Sequence, residues 1–210
     1  MSILTEPLHF VFNAPATDLS AHSFASALLA HRRVFGGLEV LQRPICDAGD
    51  RLAACLSAGG KLLLCGNGGS AATAHHLAAD LAGRFAQERR PLAALALAAN
   101  TPALTGIGDT YGFDEVYARQ VSGLGRAGDA LLVLSAGVPG ASLTNAVKAA
   151  KDAGLLTVGL FGLAGSAPDG ECHLTIRVPD ANLARVQEAH LFIGHVLCSV
   201  IESALGLSQG

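Results

Sequence analysis

The spacing of apolar and polar positions changes character at Lys61. Before it, apolar residues recur every three or four positions, the period of a helix with one buried face. This predicts a helix over 18–35, with Thr17 or Asp18 as its N-cap and Gly36-Gly37 as its stop. A second helix is predicted over 38–57, closed by Gly59-Gly60. Pro44 lies inside it, and a bend or break is expected there because proline gives up a backbone donor. After Lys61, short apolar runs alternate with helical stretches. Five runs read as strands: 62–65, 91–98, 129–135, 155–162 and 172–178. The second is so rich in Ala and Leu that it reads as helix almost equally well. The fifth alternates and is placed nearer an edge. Helices are expected after Ser70, from Thr101-Pro102, over 114–124, over 141–153 with Gly154 as the stop, and over 184–205.

Strands that alternate with helices of ten or more residues imply a parallel sheet covered on both faces. The expected architecture is α/β: a three-layer sandwich with a five-stranded parallel sheet, preceded by N-terminal helices. Residues 17–210 are read as one domain and 1–16 as an arm without clear period. Ligands of such sheets bind beyond the carboxyl ends of the strands.

Composition adds to this picture in three ways. Half of the 210 residues are hydrophobic and 15% are charged, against ~25% in ordinary soluble domains. Such an apolar excess points to subunit burial, hence a homo-oligomer. No apolar run approaches the ~20 residues needed to span a bilayer, and the start lacks a basic segment followed by a long apolar one, so neither a membrane nor a leader is expected. The net charge is −3 and the basic pairs Arg32-Arg33 and Arg89-Arg90 are isolated, so they read as solvated and nucleic-acid binding is disfavoured. Five cysteines without CxxC spacing suit a reduced cytoplasmic compartment. Cys46, Cys55, Cys65 and Cys198 read as small core residues, and Cys172 precedes His173 at a loop-to-strand junction.

Candidate chemistry gathers in a few segments. Gly66-Asn67-Gly68-Gly69-Ser70 runs from strand into helix and makes an anion-binding corner, though it matches neither the dinucleotide nor the P-loop fingerprint. Asn67 and Gly68 offer polar groups there, and Ser70 would cap the helix or donate to an oxyanion. His76 and Asp80, four residues apart, share a helix face and suit a shared metal or proton. On the last helix, Gln187 and Glu188 stand about two turns before His195, and spacing alone does not choose which of them works with it. A second strand-to-helix turn over 135–142 opens with Ser135 and is otherwise poor in hydroxyls. The loop carrying Asp109 and Tyr111 would line a pocket or cap the next helix, and Arg84 would bind an anion or pair with a surface acid.

Taken together, CGNGGSAATAHH, AGRF, GDTYGF and VQEAHLFIGHVLC, in that order and spacing, resemble the sugar isomerase (SIS) family, and within it the bacterial phosphoheptose isomerases. The resemblance runs over 38–205. It implies a zinc-dependent aldose–ketose isomerase that interconverts sedoheptulose 7-phosphate and a manno-heptose 7-phosphate through an enediol. It places His76, Asp80, Gln187 and His195 at the metal, one zinc per subunit, with Asp80 and His195 as the acid and base across the sugar. Asn67, Gly68, Ser70, Arg84, Asp109, Ser135 and Gln187 fall at substrate positions. The family is usually a homotetramer with sites between subunits. Members usually carry glutamate where this chain has Asp80, and a loop like STSGNS where it has Ser135-Ala136-Gly137-Val138-Pro139-Gly140. They commonly have Asn-Asp where it has Asp109-Thr110. These departures make a different sugar a competing expectation. Non-catalytic tetramers of the same fold that bind the replication initiator are another.

Overall fold

A computed structural model describes residues 18–164 and 171–207. Thr17 and the arm expected over 1–16 lie outside the described residues. Helix α1 (Asp18–Gly36) is followed by a 3-10 turn (Gly37–Leu41) and α2 (Gln42–Ser57). The break therefore falls at Leu41, three residues ahead of Pro44. Pro44 occupies the first turn of α2, where an N–H has no helical acceptor to lose.

Strand β1 (Leu62–Gly66) leads into α3 (Gly69–Ala82). The ambiguous run over 91–98 resolves into a three-residue strand, β2 (Ala94–Ala96), and a 3-10 turn (Leu97–Ala99). Helix α4 (Thr101–Tyr111) then begins with Asn100 as its N-cap, its side chain accepting from the Ala103 N–H. The segment expected as an aromatic loop is thus the last turn of α4, ended by Gly112 at φ 88°. The helix expected over 114–124 is shorter, a 3-10 turn (Phe113–Glu115) and then α5 (Ala118–Leu124). The remaining elements are β3 (Ala130–Ser135), α6 (Ala141–Asp152), β4 (Leu156–Phe161), β5 (Leu174–Arg177) and α7 (Leu183–Ala204).

The sheet is wholly parallel in the order β2-β1-β3-β4-β5, so β2 and β5 are its edges. Successive side chains of a strand face opposite ways, and here each face has its own core. Leu62, Leu64, Leu132, Leu134 and Leu160 pack under α1, α2, α3 and α7. Leu63, Cys65, Leu131, Val133 and Phe161 pack with Tyr117, Val121, Leu143 and Val147 from the other side. Burial on both faces is why these strands read as unbroken apolar runs. Pairing Gly66 with Leu134 and Ser135 with Phe161 brings the carboxyl ends of β1, β3 and β4 level.

Two glycines on α7 and α2 set how closely the helices of the first face approach. A Cβ at Gly194 would lie 2.5 Å from both δ-carbons of Leu77 on α3, and one at Gly49 2.5 Å from Val200. Leu77 is adjacent in sequence to His76, and Gly194 to His195. The notch that lets α3 and α7 touch therefore also fixes the distance between two histidines. Gly194→Val is expected to force the helices apart and lower stability by about 1–3 kcal/mol, the usual cost of overpacking. The check is a lower urea midpoint at unchanged m-value. An unchanged midpoint would mean that the contact does not hold the helices together.

Candidate active site

The level carboxyl ends carry two strand-to-helix turns. β1 ends at Gly66, where a Cβ would sit 2.7 Å from the Ser70 carbonyl carbon, so the chain folds back on itself at once. Gly68 follows at φ 56°, ψ −125°, a conformation that side chains oppose, and is the N-cap of α3. Ser70 is thus not the cap. It lies inside the first turn, buried, with its N–H donating to the Asn67 carbonyl. The turn is anchored from three sides. The Tyr117 hydroxyl donates to the Gly66 carbonyl at 2.5 Å, and burial pushes that phenol up to about 12. Asn67 Nδ2 donates to Ser142 Oγ at 3.0 Å, joining this turn to the first turn of α6. The Gln187 amide covers Gly69, where a Cβ would meet it at 2.6 Å. Asn67 Oδ1 is buried with no hydrogen-bond partner among the described residues.

The second turn follows β3. Ser135 Oγ donates to the Gly137 carbonyl at 3.1 Å, and Ser142 is buried with its hydroxyl accepting from Asn67. Ser135 therefore spends its proton within the turn while Ser142 keeps one to donate, and backbone N–H groups at the start of α6 offer further donors to an incoming anion.

Two turns along α3 from Gly69, three side chains converge. His76 Nε2 and His195 Nε2 are 3.0 Å apart, and Asp80 Oδ2 lies 3.4 Å from the first and 3.8 Å from the second. All three ligand atoms fall within 4.8 Å of one another. Asp80 Oδ2 is buried yet makes no aligned hydrogen bond. Four-coordinate zinc with bonds of ~2.1 Å separates its ligand atoms by about 3.4 Å, so two imidazoles and a carboxylate at 3.0, 3.4 and 3.8 Å suit one small divalent cation. The Phe85 ring rests on His195 with centroids 5.3 Å apart. Asp80 and His195 stand side by side. That differs from the expected arrangement across a sugar: 3.8 Å leaves no room for a carbon skeleton between them, so they form one wall.

The other expected residues are placed as follows. Glu188, the alternative partner of His195, turns to α1, where it accepts from His31 Nδ1 at 2.8 Å and from Arg185 at 2.5 Å. His75 is exposed and, offset by 100° from His76, is not part of the cluster. Arg84 is exposed with its Nε 3.9 Å from Glu88, the bland pairing. Asp109 is exposed on the last turn of α4. Cys55, Cys65 and Cys198 are buried, whereas Cys46 and Cys172 are half-buried.

A model of the SIS domain matches residues 30–162. A phosphoheptose isomerase of Rhodospirillum rubrum is 46% identical over 161 residues, 77% of this chain and 86% of its own length. One from a Bradyrhizobium species is 43% identical over 197 residues, 92% of this chain and 97% of its own. Among solved structures, the phosphoheptose isomerase of Francisella tularensis superposes with a TM-score of 0.84 at 33% identity, covering 88% of this chain and 98% of that one. The chain belongs to the phosphoheptose isomerases of the SIS family. The phosphoheptose isomerase of Neisseria gonorrhoeae superposes nearly as closely, with a TM-score of 0.82 at 37% identity, over 87% of this chain and 98% of its own. A sugar-isomerase fold of this kind thus holds its anion turns at the sheet end and its polar cluster between α3 and α7.

One further polar group lies within this phosphoheptose isomerase framework. His190 on α7 is buried, and neither ring nitrogen makes an aligned hydrogen bond among the described residues. Burial lowers its pKa to about 4, opposed by the neighbouring Phe161 carbonyl, so the ring is neutral. An unfolded histidine titrates near 6.5. The unfolded chain therefore takes up this proton first as pH falls, and the contribution to stability is whole above pH ~6.5 and lost towards pH 4. Between pH 7.5 and 5 the expected loss is at most about 2 kcal/mol. In urea titrations, His190→Leu should show a smaller drop over that interval than the unaltered protein. Equal drops would mean that His190 is not the titrating group.

Proposed function

We propose that the chain interconverts sedoheptulose 7-phosphate and a manno-heptose 7-phosphate, an aldose–ketose isomerisation. The carrying observation is the convergence of His76, Asp80 and His195 beside two anion-binding turns, in a chain 46% identical to a phosphoheptose isomerase. The Gly66 turn and the N-terminal N–H groups of α3 and α6 face the anionic and hydroxyl groups of the sugar, with Asn67 and Gly68 closest in the chain to that corner. Asp80 accepts the proton from the carbon beside the carbonyl, giving the cis-enediol. His195, in the same wall, serves the adjacent oxygen, and the proton returns to the neighbouring carbon.

His76, Asp80 and His195 would hold one zinc per subunit, with Gln187 proposed as the fourth ligand. Zinc bound there supplies Lewis acidity that polarises a carbonyl oxygen. A carboxylate has two oxygens, so Asp80 can turn Oδ2 to the histidines and leave Oδ1 for the proton. Arg84, Asp109 and Ser135 are proposed on the substrate side, Arg84 and Asp109 reaching a site completed by neighbouring copies. That placement accompanies a homotetramer, which the exposed Phe24, Leu29, Val40 and Val138 support. No helix among the described residues is long and apolar enough to cross a membrane. A cytoplasmic location is proposed, supported by five cysteines that are all free thiols.

The test joins elemental analysis to turnover on a heptose 7-phosphate. About one zinc per untagged chain is expected. Asp80→Asn and His195→Ala should each lower kcat by roughly 100-fold or more, the scale of lost acid–base catalysis. Near-normal turnover in both variants would remove this cluster from the mechanism.

A further inference from the structure

Arg89 and Glu202 form a buried ion pair on the flank of the His76–Asp80–His195 cluster. Both side chains are fully enclosed, 1% and 2% exposed, with Arg89 Nε donating to Glu202 Oε1 at 2.7 Å. The rest of the guanidinium is spent on the carboxyl end of α3 and on the Arg90 carbonyl. Nη2 donates to the Asp80 carbonyl at 2.7 Å, and Nη1 lies within reach of the carbonyls of Leu81, Gly83 and Arg90 at 2.9, 2.9 and 3.0 Å. The last carbonyls of a helix have no partner of their own and their dipoles favour a cation. Arg89 thus closes α3 at the residue that carries the carboxylate of the cluster.

Glu202 leads to the other half. It stands seven residues after His195 on α7, two turns along the same face. Its Oε1 also accepts from the Phe85 N–H at 3.3 Å, and the Phe85 ring rests on His195. One ion pair therefore holds the backbone of Asp80 from one side and the ring against His195 from the other. A pair whose task was to end a helix would need the carbonyl contacts alone.

We propose that the Arg89–Glu202 pair is a positioning device for the cluster, setting the Asp80 carboxylate against His195 and thereby both cation affinity and turnover. This rests on the reading in which Asp80 and His195 act in isomerisation.

The test uses the full-length protein and three readouts: zinc affinity by competition with a chromophoric chelator, kcat separately from KM, and the urea midpoint. Arg89→Met combined with Glu202→Leu removes both charges together, a replacement that buried pairs often tolerate without loss of stability. Arg89→Lys keeps the charge and loses the fork, and it carries the test by the same criteria should the double variant not accumulate. Both are expected to lose 10- to 100-fold in zinc affinity and in kcat, the usual scale for groups that orient metal ligands. KM should stay within about threefold. Wild-type zinc affinity and kcat in a folded variant, or losses that merely follow the unfolded fraction, would overturn the proposal. Asp80→Asn, run alongside, separates the two readings. If it turns over normally, the assignment of the site fails, while the zinc-affinity readout still decides whether Arg89 positions the cluster.

Discussion

The polar chemistry of this chain depends on how closely α3 and α7 approach. The two helices belong to segments more than a hundred residues apart, and α3 brings two residues of the cluster and α7 the third. Gly194 removes the side chain that would otherwise hold them apart, and Leu77 fills the space. The consequence is immediate because each of these residues is adjacent to a histidine. An imidazole is rigid, so a shift of an ångström between the helices would carry the 3.0 Å separation of the two Nε2 atoms to about 4 Å, wider than the ~3.4 Å of a tetrahedral zinc site. Close packing resists such shifts, since interiors are as dense as molecular crystals and a helix pair cannot slide without opening voids.

The buried charges follow the same division. At the amino end of the sheet, Asp129 receives N–H groups of Lys61 and Arg126 at 2.9 and 2.8 Å and the Lys61 ammonium at 2.5 Å. Burial alone would raise its carboxyl, and these donors outweigh it and hold it below the usual range. That set ties β1 to β3 and touches nothing at the carboxyl end. The Arg89–Glu202 pair lies instead on the side of the cluster. A charge is expensive to bury without a partner, and in a chain with so few charges both pairs close an end: one the strands, the other α3.

Much of the architecture was legible in the sequence because both of its periods were. The five strands fall on the apolar runs, and their alternation with helices implied the parallel sheet covered on both faces. At 91–98 the expected strand is present but short, and an edge strand with three paired residues leaves little pattern to read. Pro44 misled for a different reason. Its position within a helix decides whether its missing donor matters, and that position depends on where the preceding 3-10 turn ends. In the cluster, His76 and Asp80 were visible as an i,i+4 pair, but the choice between Gln187, Glu188 and Asp80 as companions of His195 needed the helix contacts. Arg89 was misread as solvated. The signal that could have found it was Glu202, the one charged residue in the apolar stretch 196–204 that ends α7, which is costly to bury there without a cation. Tyr117 left no such trace: one tyrosine among Asp114, Glu115, Arg119 and Gln120 shows neither its burial nor the carbonyl that its hydroxyl serves.

Part of the apolar excess seen in the composition lies at the carboxyl end of the sheet. Val138 follows β3, Leu163 follows β4 and Leu183 opens α7, so these exposed side chains, 72%, 53% and 54% accessible, rim the carboxyl end of the sheet. Leu183 leans on Gly137, where a Cβ would meet it at 3.2 Å. Phe113 and Tyr111 stand exposed just after α4 and at its end. A polar cluster bordered by bare apolar groups is poorly served by water on both counts: the rim gains nothing from solvation, and the cluster's electrostatic interactions are weakened by it. Covering the rim with further copies of the chain would bury the apolar groups and lower the local dielectric around Asp80 and His195 in a single step. In the homotetramer proposed above, the residues that make the isolated chain costly in water would be the ones that shield the proposed chemistry from it.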